Sequence, residues 1–306
     1  MVAIAARRGR GRSRRGAPTR PPTPRLPQWT NHGGLPDEKR SPEGCDDPGM
    51  TFRPDPTRLG GLEWARSTGG RLSGVERRRL LAAIAIGQFE NLAGRVRLML
   101  GRLPDGARDI DVRSFEPPDS LLAREAEAAC AEQPDAIAGH SYRTWMYGLA
   151  LAALDGAALD RELFYCAALV HDFGISPPVP GRDFTLGGAD RALACASAAG
   201  LADVDGDLIA DAICVHTTPG VTPDRDGALG CYVQMGAMVD GAGLRMWDIS
   251  RENVRAVVEA HPRGVDFKRD LVALIRAEAR AVPGGRFSLM VKSGLPVAVR
   301  LAPFND

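Results

Sequence analysis

Five histidines occur in the 306 residues: His32, His140, His171, His216 and His261. Three of them stand in or beside stretches that otherwise read as interior helix. His140 opens His-Ser-Tyr-Arg-Thr, His171 follows Ala-Ala-Leu-Val, and His216 follows Ile-Cys-Val. Two aspartates keep similar company: Asp172 directly after His171, and Asp240 after Met-Gly-Ala-Met-Val. A lone buried carboxylate is costly unless it is paired or bound to a metal. One divalent cation would satisfy Asp172 and Asp240 together and take neutral imidazoles as further ligands. Imidazole nitrogen with carboxylate oxygen suits Zn, Fe, Mn, Ni or Co, so the ligand types do not choose among them. Singly, each group has a plainer reading. His140 reads as a satisfied helix histidine, His171 and Asp172 as an ion pair at a helix end, and Asp240 as a turn residue before Gly241. Together, in order and in apolar settings, they favour the metal. His261, before Pro262 at an apparent helix end, reads as structural.

Such a site needs particular elements around it. Neighbouring helical residues point about 100° apart, so His171 and Asp172 share a cation only off the end of their helix. Helices carrying His140 and Asp240 must then pack across that point. The apolar spacing supports this. It predicts two helices within 75–103, then helices over 119–133, 136–154, 159–173, 187–199, 207–216, 228–239, 251–261 and 267–281. The last twenty residues read as a short hairpin or an extended tail. There is no βαβ alternation and no phosphate-cradling glycine loop between a strand and a helix. The expected fold is all-α.

Composition agrees. Apolar residues are 44% and charged residues 25%, as in soluble globular proteins, which excludes a fibrous repeat and a polytopic membrane protein. Aromatics are only 6%, so alanine, leucine and valine must fill the core, and the first two favour helix. The net charge of +1 hides an asymmetry: residues 1–74 carry 13 Arg and one Lys against seven acids. Ten of the 23 prolines lie in residues 1–60. That segment is expected to be a disordered Arg/Pro-rich tail, followed by a helical domain over 75–285 and a C-terminal extension over 286–306. Six cysteines occur without a CxxC pair, and most lie in apolar segments, which reads as buried free thiols in a reducing cytoplasm.

The ordered set His140, His171-Asp172 and Asp240 resembles the HD superfamily of metal-dependent phosphohydrolases and related hydrolases, over roughly residues 120–280. Within it the chain is most similar to the branch of the cyanamide hydratases, through 140–144, 167–174, 216–220 and 239–244. The resemblance implies a helical bundle holding one divalent metal (Zn, Fe or Mn) on His140, His171, Asp172 and Asp240. It also implies hydrolysis or hydration of a small molecule, such as a cyanamide-like nitrile going to a urea. Asp172 and His216 are the expected catalytic residues. His216 would face substrate or relay a proton, although a histidine interacting with a helix C-terminal dipole fits that position too. Two departures matter. Nucleotide-directed members often carry a glutamate where this chain has Ile175, and the histidine pair of a second metal centre is missing. Phosphate recognition would call on Arg143, Arg182, Arg191 or Lys268, which keeps a nucleotide or phosphate-ester phosphohydrolase as the alternative. A non-catalytic HD-like module is the alternative outside enzymes. No membrane partner is expected, nucleic acid only through the tail, and a homo-oligomer is left open.

Overall fold

Thirteen α-helices, three short 3-10 turns and no strand make up the described chain, in a computed structural model that describes residues 53–304. The helices are α1 Leu62–Thr68, α2 Gly74–Met99, α3 Leu121–Ala131, α4 Asp135–Asp155, α5 Arg161–Val170, α6 Thr185–Ala198, α7 Asp203–Val215, α8 Pro223–Asp226, α9 Ala228–Ala242, α10 Arg251–Ala260, α11 Phe267–Ala281, α12 Arg286–Lys292 and α13 Leu295–Arg300. Their starts follow local chemistry. Ser73 and Glu76 form a reciprocal capping box on α2, Ser120 Oγ accepts from Ala123 N–H, and Asp160 accepts from the amides of Glu162 and Leu163. Each satisfies helix amides that would otherwise lack a partner.

α5 lies at the centre, with every side chain from Leu163 to Val170 buried, as expected of a helix apolar on all sides. α3, α4, α6, α7 and α9 surround it. α4 and α9 meet almost backbone to backbone. A Cβ on Gly236 would fall 2.1 Å from Thr144 O, and one on Gly148 would fall 2.6 Å from Tyr232 O. The missing side chains therefore set the α4–α9 spacing, and His140 and Asp240 face each other about one turn beyond the Thr144–Gly236 contact.

Three expectations change. The 75–103 stretch is one helix, because Gly87 has open space around it and a single glycine costs a helix only about 1 kcal/mol. The last twenty residues form α12 and α13 instead of a hairpin or extended tail. Pro296 suits the first turn of α13, and Val299 packs with Phe267, Leu271 and Ile275. At the other end, residues 53–60 of the expected tail are docked: Arg58 bonds Asp211 at 2.7 Å and Asp226 at 3.3 Å. Cys130, Cys166, Cys195, Cys214 and Cys231 are buried and free. His32, Cys45 and the rest of the tail lie outside the described residues. No helix among the described residues is long and apolar enough to cross a membrane.

Candidate metal centre

His171 and His216 occupy the same position on different helices. Each is the residue that ends its helix, α5 and α7 respectively. Each turns Nδ1 back to the carbonyl three residues earlier, His171 to Ala168 O at 2.8 Å and His216 to Ile213 O at 2.5 Å. A carbonyl can only accept, so Nδ1 carries a proton, and in the neutral ring Nε2 is then a bare lone pair. His140, in the second turn of α4, reaches this state through a carboxylate: its Nδ1 lies 2.7 Å from Asp240 Oδ2. Burial pushes Asp240 towards neutrality, but the His140 bond and the Arg143 and Arg263 charges overcome it and hold the carboxyl far below its usual range. An ionised carboxylate accepts, so in the neutral ring His140 too would present Nε2 as a lone pair.

These lone pairs converge on Asp172, which follows α5 in the sparsely populated bridge region of backbone space, at φ −99°, ψ 9°. Asp172 Oδ2 lies 3.5 Å from His171 Nε2 and 3.7 Å from His140 Nε2, and Oδ1 lies 3.7 Å from His216 Nε2. His171 Nε2 is buried and has no hydrogen-bond partner. Burial, opposed by Asp172 and reinforced by His216 and His140, holds His171 down to about 3, so it stays neutral near pH 7. Burial raises Asp172, yet the surrounding histidines more than reverse this and keep it ionised. Neutral His171 thus brings no proton to the ionised Asp172 beside it.

A cation would resolve that arrangement. The ligand atoms of His140, His171 and Asp172 all lie within 4.8 Å of one another. Ligands about 2.1 Å from one tetrahedral ion would be about 3.4 Å apart, close to the 3.5 and 3.7 Å gaps at Asp172 Oδ2. Each histidine also hands its other ring nitrogen to a carboxylate or a carbonyl, the usual setting of metal-bound imidazoles. The buried group therefore could hold a metal ion.

Asp240 departs from the expected ligand set. It lies behind the His140 ring, with Oδ1 accepting from Arg143 Nε at 2.8 Å and from Arg263 Nη1, and Oδ2 accepting from Arg143 Nη2 at 3.0 Å. Both oxygens are spent on donors, and the residue does not line the cavity beside the cluster. Arg143 is thereby committed to Asp240, not to a substrate. Arg182 pairs with Asp190, Arg191 with Glu132, and Lys268 donates to Phe304 O. None of the four candidate phosphate-binding cations lines the cavity. His261 stacks on Tyr142 with ring centroids 4.7 Å apart, outside the cluster.

The cluster forms part of the wall of a cavity of about 780 Å³. Much of the remaining wall is apolar, including Ala83, Ile84, Met238, Leu271, Ile275 and Phe287. Ile175 belongs to that wall. Two side chains missed in the sequence hold the loop after His216: Gln234 donates to His216 O and Thr218 O, and Arg286 donates to Cys214 O and Thr218 Oγ1. A third, Arg263, holds Asp240. Only Arg143 had a local signal, three residues after His140 on the same helix face. The fold and site thus define an all-α protein with a buried His–Asp group suited to a metal. No protein-family model and no curated protein matches the chain.

Proposed function

We propose that this protein is a mononuclear metal-dependent hydrolase or hydratase of the HD superfamily, acting on a small organic molecule with an apolar body. The observation that carries this reading is the convergence of three imidazole lone pairs on the Asp172 carboxylate, in the wall of an open apolar cavity. His140, His171 and Asp172 would hold one Zn, Fe or Mn. When bound, such an ion supplies Lewis acidity and an activated water.

The residues divide the remaining work. Asp172 Oδ2 faces the His140 and His171 imidazoles, while Oδ1 faces His216. His216 Nε2 accepts a proton on that side of the cluster and returns it to the departing or newly formed group. Asp240, Arg143 and Arg263 keep the His140 ring in its tautomer and orientation. The apolar walls hold the body of the substrate and exclude bulk water.

Cavity size bears on the substrate. Pockets of roughly 300–1,000 Å³ take drug-sized molecules, so an alkyl or aryl nitrile suits the space better than bare cyanamide. The phosphate-ester reading has less support, because three of the four arginines at the cavity, Arg58, Arg225 and Arg245, are already paired with aspartates. The test is elemental analysis of the purified protein with a screen of cyanamide, longer nitriles and phosphoesters. One equivalent of metal and metal-dependent turnover favouring nitriles with an apolar body are expected. Metal-free protein that gains no turnover when metal is added overturns the reading. Preference for phosphoesters replaces it with a phosphohydrolase.

A further inference from the structure

Gln234 stands on the face of α9 that walls the cavity, in one stripe with Met238, Gly241 and Ala242. Its Nε2 lies 2.6 Å from His216 O and 2.8 Å from Thr218 O. Backbone carbonyls only accept, so the amide nitrogen must face them, and both its hydrogens are spent there. The amide is thereby fixed in orientation, with Oε1 turned away from the loop. Oε1 accepts from no described residue, yet it is not sealed inside the protein. The open space beside Gln234 is the cavity.

Tying the loop after His216 accounts for the nitrogen alone. A lysine would donate to the same two carbonyls. Glutamine adds an acceptor, in a cavity whose wall is largely apolar, Met238, Leu271 and Ile275 included. A molecule that fills this cavity drives water from Oε1. It must then offer a donor of its own or leave that oxygen unsatisfied. A few fixed polar groups in an apolar pocket set orientation and specificity in this way. We propose that Gln234 determines specificity by accepting, through Oε1, an N–H or O–H donor of the bound molecule. The class it selects is an apolar body carrying a carboxamide, a urea or a similar N–H group, over isosteres in which a methyl replaces the nitrogen. This rests on the hydrolase or hydratase reading only in taking the cavity as the place where substrate lies.

The test is isothermal titration calorimetry of the full chain with hydrocinnamamide and with benzylacetone, which differ only in an amide NH₂ against a methyl beside the same carbonyl. Wild type should bind the amide roughly 10–100-fold more tightly. Gln234→Lys keeps a donor for His216 O and Thr218 O and removes the acceptor, and Gln234→Met removes both. Each should bring the ratio of the two dissociation constants close to one. A purely structural role would weaken both compounds alike in Gln234→Met and leave the ratio at its wild-type value. If the methionine variant unfolds, the lysine variant decides. Equal binding of the two compounds by wild type overturns the proposal, as does binding of neither at millimolar concentration, or a preference that persists in folded Gln234→Lys. Turnover in the nitrile and phosphoester screen is read separately. Nitrile turnover with no amide preference keeps the hydratase reading and removes Gln234 from it. An amide preference lost in both variants, without turnover of any substrate, keeps Gln234 as a binding determinant and removes the reading.

Discussion

Asp172 and Asp240 are both buried aspartates next to His140, and they are stabilised in opposite ways. Asp240 is ringed by donors: one imidazole N–H and two guanidinium groups. Asp172 is ringed by imidazole Nε2 atoms, which are lone pairs in the neutral rings, at 3.5–3.7 Å. The first arrangement is complete within the chain. The second is one that a positive charge from outside could complete. The contrast shows that burial and residue type do not identify a ligand; what identifies it is whether the surrounding groups give or take protons. Glu278 illustrates a third solution. One oxygen accepts from Phe184 N–H, the other has no partner, and burial with neighbouring Asp183 raises its carboxyl to about 7.

The largest test of this comparison is Asp172→Ala. Metal content should fall to background by elemental analysis, because the only charged ligand is gone, while the metal-free protein should melt no lower than wild type. A variant that retains its metal would remove Asp172 from the site. Next comes His216→Ala, expected to keep the metal and lower turnover by roughly 10²–10⁴-fold if the residue moves a proton. Loss of metal as complete as in Asp172→Ala would make His216 a ligand, and full activity would make it structural. Asp240→Ala acts on the closed network. It takes from buried Arg143 the carboxylate that it pairs with and should cost about 3–5 kcal/mol in urea unfolding, far more than Asp172→Ala. Equal losses for the two variants would erase the distinction.

The smallest effect concerns the third carboxylate. Glu278 has a folded pKa raised from 4.5 to about 7, so it binds its proton more tightly in the folded state. Its contribution is complete below about 4.5 and is lost as pH rises through about 7. Glu278→Gln cannot ionise. Its stability relative to wild type should therefore climb between pH 5 and pH 8, by on the order of 1–3 kcal/mol. Parallel stability profiles across that range would show that Glu278 is not protonated when folded.

Much of this was legible before any coordinates. The helices over 136–154, 159–173 and 267–281 were legible because apolar periodicity is local, and His140, His171, Asp172 and His216 stood out as polar groups in apolar runs. The role of Asp240 did not. A sequence shows that an aspartate and a histidine are buried together, but not which ring nitrogen faces the carboxylate, and that choice separates ligand from support. Arg263, Gln234 and Arg286 were missed because their partners lie in other segments, 16 or more positions away. The helical C-terminus was missed because Val297 to Leu301 is a short apolar run, and periodicity alone does not separate strand from helix at that length.

The crossing of α4 and α9 has a consequence for where this site ends. Its calibration depends on two hydrogen atoms, the side chains of Gly148 and Gly236. A methyl group at 236 would meet the Thr144 carbonyl at 2.1 Å and wedge the helices apart. The 2.7 Å bond between His140 and Asp240 would stretch before any residue of the cavity was touched. In a survey of every position scored by metal retention, these glycines should therefore score like ligands, although neither bears a donor atom on its side chain nor faces the cavity.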